Sequence, residues 1–373
     1  MKPRTLMVSL LLSAALLFCS VFASGGADDP LISLHYLQTV FAPRAEQAMG
    51  ARADTSGASI YSGALSQWQA ASAGAASAGF GNAADTARGW MESRYKQDDA
   101  LNASMGSQLL LLAGAGNVRF SSGAVIDVTL GSEVGTGSSL VPMHRYLVAE
   151  NTNAQFTVTS RTAVVSCRGA FRSTPSDGID YNAIASALKA LSLFKGTDLG
   201  YGQGFELEAQ PTRIQALIML IRLLGEESAA LASDAPNPFS DVPGWAERYT
   251  AYAYEKGYTN GVGGGLFAPN REATSAMYVE FLLRALGYSS TAQTDLSTAA
   301  DRAVSAGVIS AGEKALLESG PFLRADVAYL SWYALELPLA DSRTTLCRKL
   351  EDANVFTEAD YLGAKAQVPS QRL

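Results

Sequence analysis

The stretch from Phe239 to Gly287 constrains the fold most, because its stop signals divide it into two helices too short to stand alone. Trp245, Tyr249, Tyr252 and Ala253 recur at i, i+4, i+7 and i+8, which predicts one apolar helical face. Gly257 supplies the left-handed stop that helix ends favour. A glycine-rich loop (Gly261, Gly263, Gly264, Gly265) leads into Phe267-Ala268-Pro269-Asn270-Arg271. A second helix then opens near Thr274, presents Tyr278, Phe281, Leu282 and Ala285 on one face, and closes at Gly287. Two short helices bury little by themselves, so the pattern demands neighbours of its own kind.

Those neighbours are present in weaker form. Upstream, Tyr181 to Leu191 reads as a first helix with Leu193-Phe194-Lys195-Gly196 as its exit. Pro211-Thr212-Arg213-Ile214-Gln215 opens a second helix, with Ile214, Leu217, Ile218, Ile221 and Leu224 on one face and Gly225 at its end. Downstream, Ala299 to Ala306 and Gly307-Val308-Ile309 repeat helix and exit. Leu323-Arg324-Ala325-Asp326 opens the partner helix, whose face is Val327, Leu330, Ala334 and Leu337, with Pro338 as the stop. Arg343 to Asp352 and Thr357 to Ala366 read as closing helices that cap the array with a polar outer face.

The order of parts from Phe239-Ser240-Asp241-Val242-Pro243 through Trp245-Ala246-Glu247 to Phe267-Ala268-Pro269 resembles the S-layer homology repeat. That unit holds bacterial proteins on cell-wall polysaccharide. The resemblance implies three units in a pseudo-threefold bundle and a non-catalytic role in wall adhesion. It also implies a Thr-Arg-Ala-Glu signature where each second helix begins. Physically, a threonine N-cap with Glu or Gln three residues on satisfies the first backbone N–H groups, and an arginine adds positive charge at the positive end of the helix. Such a site suits a carboxylate or phosphate on an acidic glycan. Thr212-Arg213-Ile214-Gln215 keeps cap, arginine and an amide box. Thr274-Ser275-Ala276-Met277 keeps only the cap, and Leu323-Arg324-Ala325-Asp326 keeps arginine and acid without the cap. The implied glycan-binding residues are Thr212, Arg213, Asp241, Trp245 and Arg324, with Asp241 and Trp245 at a groove wall and the indole as a stacking face. Against this, Trp245 in a first helical turn also reads as core, Asp241 as a helix cap and Arg213 as a solvated first-turn residue.

Lys2 and Arg4 precede an apolar run from Leu6 to Phe22 that ends at Val21-Phe22-Ala23, a secretory leader with cleavage expected after Ala23. Phe18 before Cys19 argues against a lipoprotein signal, and no other apolar run is long enough to span a bilayer. The expected location is therefore secreted, at the cell wall, with no membrane contact after cleavage. Loss of Lys2 and Arg4 takes the formal charge from −7 to −9. An acidic chain does not attract an anionic polymer through its overall field, so wall binding must rest on local arginines and helix ends. Nucleic acid is excluded on the same ground, since no basic patch or aromatic-rich RNA motif appears. Cys167 and Cys347 lie in different regions, and a bond between them stays open.

Asp29-Pro30 begins a capped helix, Ala51 to Ala87 reads as an Ala/Gly/Ser-rich spacer, and Trp90 to Leu101 as a further helix. From Ser107 to Gly169 the period changes to two. Gln108–Leu112, Val118–Phe120, Val125–Leu130, Tyr146–Ala149, Phe156–Thr159 and Ala163–Ser166 predict a small β-roll or sandwich. A similar order of strands, more vaguely, precedes such repeats in other bacterial surface proteins. No cofactor, metal cluster, nucleophile elbow or phosphate loop is legible. Asp98, Asp99, Asp127, Glu133 and Glu150 offer carboxylates from which nothing selects a glycosidase pair. His144-Arg145 reads as a surface or packing pair.

The expected fold is α+β and multidomain, a small β-roll or sandwich followed by an all-α bundle of three helix–loop–helix units. Its parts are a leader (1–23), spacer (24–106), β-domain (107–170), units 178–232, 237–290 and 294–340, and closing helices (341–373). The expected function is a non-enzymatic surface protein anchored on an acidic secondary wall polysaccharide linked to peptidoglycan, with self-assembly left open. The alternatives are a wall-targeted hydrolase with its site in the β-domain, and units kept only as a structural or interaction module.

Overall fold

A computed structural model describes residues 89–197, 201–289, 295–369 and 371–373, all within the unit Phe80–Leu373. The leader, the helix opening at Asp29-Pro30 and the spacer from Ala51 to Ala87 lie outside the described residues. Among the described residues ten strands come first: β1 (Met91–Lys96), β2 (Ala100–Ser104), β3 (Gln108–Ala113), β4 (Gly116–Arg119), β5 (Ala124–Asp127), β6 (Ser132–Val134), β7 (Arg145–Ala149), β8 (Asn153–Val158), β9 (Thr162–Arg168) and β10 (Phe171–Thr174). They form two antiparallel sheets, one ordered β1-β9-β3-β7-β5-β6 and the other β10-β2-β8-β4. Alternating residues such as Leu109, Leu111, Val125, Tyr146, Val148 and Phe156 fill the space between them, as half-buried strands should.

The helix expected from Trp90 to Leu101 is instead β1 and the start of β2, so sheet structure begins at Met91, ahead of the boundary expected at residue 107. Met-Glu-Ser-Arg-Tyr-Lys has little β-propensity of its own. Its strand state comes from pairing along β9, from Met91 opposite Cys167 to Lys96 opposite Thr162. β9 is buried at Thr162, Ala163, Val164, Val165, Ser166 and Cys167. Ala163, Val165 and Cys167 face the sandwich core, and a Cβ added at Gly202 would approach Val164 on the opposite face.

Ten α-helices follow among the described residues: α1 (Tyr181–Ala190), α2 (Arg213–Leu223), α3 (Glu227–Ala232), α4 (Glu247–Glu255), α5 (Ser275–Ala285), α6 (Ala299–Ser305), α7 (Ala311–Glu318), α8 (Arg324–Ala334), α9 (Leu346–Asp352) and α10 (Glu358–Lys365). Their apolar faces share one core that includes Leu188, Leu217, Ile221, Tyr252, Tyr278, Leu282, Tyr329 and Leu350. Ser192, Gly257, Gly307 and Asn354 all take positive φ just past α1, α4, α6 and α9, so each of these helices ends in the same way. Helices α7 and α10 each open on a capping box, Ser310 with Glu313 and Thr357 with Asp360.

The turn from β8 to β9 reaches the helices. Arg161 bonds the Asp326 carboxylate and donates to the Leu316 carbonyl at 3.1 Å. Thr162 donates to Glu208 at 2.6 Å, Asn182 to the Tyr95 carbonyl at 3.3 Å, and the Gly202 amide to Glu92 at 2.6 Å. Cys167 and Cys347 are free thiols, each buried, and burial pushes both up to about 12.

Candidate functional site

Thr212 caps α2 as expected, and Gln215 returns its side-chain oxygen to the Thr212 amide at 2.9 Å. Arg213, the next residue, turns inward and is only 4% exposed. Its guanidinium carbon lies 4.8 Å from the Phe267 ring centroid and 5.0 Å from that of Phe281. One terminal nitrogen donates to the Gly261 carbonyl at 3.3 Å, while Nε has no partner among the described residues. Burial pulls this guanidinium down to about 10, Arg271 and Arg284 pull the same way, and Asp241 opposes them. It stays charged at neutral pH.

The start of α2 is docked on the loop before α5. Arg213 N donates to the Arg271 carbonyl at 2.7 Å, Ile214 N to that of Pro269 at 3.1 Å, and Ala273 N to that of Pro211 at 2.9 Å. Asp241 is exposed and holds the same loop from its other side, accepting from Phe267 N at 2.8 Å and Ala268 N at 2.7 Å. Ala268 is thereby kept at φ 60°, a left-handed conformation that costs any residue with a Cβ. At Gly261, φ is 77° and a Cβ would lie 2.4 Å from the Leu266 carbonyl oxygen, so only glycine fits that bend.

Trp245, placed on the apolar face of the helix by its spacing, is 64% exposed. Gly244–Ala246 forms a 3₁₀ turn and α4 starts only at Glu247, so the indole falls off the face that buries Tyr249 and Tyr252. Tyr254, 48% exposed, stands edge-on to Phe239 at 5.6 Å, and the exposed Arg271 closes the loop. Tyr254 was not among the sequence-predicted ligands, and Arg271 reads in sequence only as a stand-in, ahead of the Thr274 cap, for the arginine missing at Ser275. The signal for Tyr254 was its position two residues after Tyr252, off the buried stripe.

Arg324 sits at a second loop of the same build. It is 5% exposed, donates from Nε to the Phe205 carbonyl at 3.1 Å, and lies 5.7 Å from the Phe194 ring centroid. Arg324 N and Ala325 N donate to the Ala209 and Leu207 carbonyls at 2.9 and 3.0 Å. Glu206, with φ 48°, takes the place there that Ala268 takes in the other loop. Thr212, Arg213 and Asp241 thus gather around the loop before α5, Trp245 follows Asp241 by one short turn, and Arg324 stands apart. The chemistry on offer is an exposed indole, an exposed carboxylate and a buried cation.

In the sandwich, His144 Nδ1, just before β7, lies 2.7 Å from Asp127 Oδ2 at the end of β5, a contact that the His144-Arg145 reading missed. Asp99 pairs with Lys96 at 3.1 Å. Among the described residues no cluster of His, Cys, Asp or Glu could hold a metal ion, and no helix is long and apolar enough to cross a membrane.

Residues 238–274 match the family model described as the S-layer homology domain. That segment contains Asp241, Trp245 and the loop they flank. The chain is also 31% identical over 193 residues to a cell surface protein of Thermoanaerobacter kivui, across 50% of this chain and 24% of that protein. It therefore spans about a quarter of that relative's length. Among solved structures, procruciferin, an 11S globulin from Brassica napus, shares 10% identity over 27% of each chain at a TM-score of 0.16. The coconut allergen cocosin shares 16% identity over 27% of this chain and 29% of its own at 0.15. Nothing about fold or function follows at such scores. The two sequence matches together place an S-layer homology domain at residues 238–274 and make half of this chain similar to part of a bacterial cell surface protein.

Proposed function

We propose that the helical region holds this protein non-covalently at a bacterial cell wall by binding an acidic wall polysaccharide. Residues 178–232, 237–290 and 294–340 act as three helix–loop–helix units of one bundle. The observation that carries this reading is the exposed Trp245, in the turn that follows the loop-holding Asp241, inside the segment matched as S-layer homology. The indole offers a stacking face to a sugar ring, and Thr212, Asp241 and Arg271 offer hydrogen bonds at the rim. Arg213 and Arg324 lie beneath their loops and supply positive potential from below rather than a direct fork to the glycan. The protein is not an enzyme on this reading.

The test is co-sedimentation of the whole chain with purified cell wall, before and after chemical removal of the attached polysaccharide. Binding should vanish with the polysaccharide and weaken about tenfold in Trp245→Ala, as loss of one stacked aromatic predicts. The burial of Arg213 and Arg324 and the serine at position 275 favour a second reading, in which the units serve only as a helical interaction module. Equal sedimentation of the chain with stripped and intact walls would select it.

A further inference from the structure

The four-stranded sheet packs one face on the sandwich core, and among the described residues nothing covers the other. Its strands contain no Asp or Glu, in a chain with 35 acidic residues against 28 basic ones. Arg172 stands opposite Asn102, Asn102 opposite Gln155, and Gln155 opposite Arg119. Partners in register share a face, so these side chains form one row across the sheet, guanidinium, amide, amide, guanidinium. Leu101, Ala103, Phe156 and Val118, their neighbours along the strands, are buried, which turns the row outward.

The row is partly ordered in advance. Gln155 Nε2 donates to Asn102 Oδ1 at 3.2 Å, and Asn102 Nδ2 to Thr174 Oγ1 at 3.4 Å. A shallow cavity of about 280 Å³ lies over it, with Arg119, Arg172, Asn102 and Gln155 among its walls. No acid pairs with Arg119 or Arg172 among the described residues. Three strand spacings separate the edge strands by roughly 14 Å. The helical region meets the other sheet, at β1 and β9, so this face is left uncovered by the helices.

We propose that this face binds an acidic polysaccharide laid across the strands. Arg119 and Arg172 take its carboxylates through charge-assisted forks, and Asn102 and Gln155 take the hydroxyls between them, since an amide both donates and accepts. The open face has no aromatic side chain, and single-stranded nucleic acid relies on stacking, so a hydroxyl-rich chain fits better. This site is independent of the wall contact proposed for the helices.

The experiment titrates the whole chain with a short oligogalacturonate. A neutral dextran oligomer and an oligothymidylate of equal charge serve as controls, and affinity and amide hydrogen exchange are both read. The acidic oligomer should protect the edge strands β4 and β10 and bind more weakly as salt rises. In the Arg119→Gln, Arg172→Gln double variant its affinity should fall about tenfold or more, as expected for two lost charge-assisted contacts. Asn102→Asp, which sets an acid in the row and leaves both arginines, should fall similarly. Absence of binding, protection confined to the helices, unchanged affinity in the variants, or equal affinity for oligothymidylate would each overturn the proposal. A failure of the helical wall contact would instead appear as protection in the sheet alone.

Discussion

Arg213 carries its charge into a site walled by Phe267 and Phe281 and closed by the Gly261 carbonyl. A planar guanidinium can face both rings and still reach the carbonyl, whereas an ammonium offers one compact point of charge. Arg213→Lys should therefore cost about 1–2 kcal/mol, read by urea denaturation, and should loosen the loop at Gly261. An unchanged midpoint would mean that the rings do not hold the charge. Asp326 presents the opposite problem, a carboxylate 1% exposed beside Arg161. Burial outweighs that partner and pushes its pKa up from 3.8 to about 6. The folded chain then binds the proton more tightly than the unfolded chain does. Its stabilising contribution is full below pH 4, falls as pH rises to about 6, and is level above that. Asp326→Asn should remove a slope worth about 3 kcal/mol between those limits, visible in denaturation curves taken at pH 4, 5, 6 and 7. Parallel profiles for parent and variant would show that the carboxyl titrates normally.

At the scale of elements, the loop before α5 is held in three ways, by Asp241, by the start of α2 and by the bend at Gly261. Ala268 sits within it at φ 60°, so Ala268→Gly should leave stability unchanged or raise it by about 0.5–1 kcal/mol, as thermal unfolding would report. A clear loss would show that the Ala268 methyl contributes packing that outweighs the strain. The helices here were legible because caps and stops are local. Thr212, Thr274, Gly257 and Gly287 each do their work within one turn of their own position. Helix α7 has a local signal of the same kind in Ser310 and Glu313, followed by only a short amphipathic run. β1 was not legible, since its residues acquire a strand's conformation only from β9. Trp245 was misplaced for a related reason. The spacing from Trp245 to Tyr249 fits a helix, but the 3₁₀ turn shifts its phase by part of a turn. The burial of Arg213 and Arg324 depends on loops from distant sequence, and no local pattern encodes it.

Across the molecule, Arg161 joins the sandwich to the helices at the buried carboxylate of Asp326. Arg161→Ala would leave Asp326 inside without a counter-charge and should destabilise the chain by about 3–5 kcal/mol. Calorimetry should then resolve separate transitions for sandwich and helices where the parent gives one, and a single unshifted transition would refute the coupling. Few residues near that junction announced themselves in sequence, because each partner lies more than forty positions away, from 46 between Thr162 and Glu208 to 165 between Arg161 and Asp326. β9 is buried on both faces, with Ala163, Val165 and Cys167 in the sandwich core and Val164 on the side of Gly202. For a protein held at one end and pulled at the other, that strand changes the path of the load. Tension crossing from sandwich to helices does not run through the short stretch between Thr174 and Tyr181 alone, as it would along a tether. It is shared with a seam of side-chain bridges lying beside that stretch, and the molecule should give way there in one rupture rather than by paying out slack.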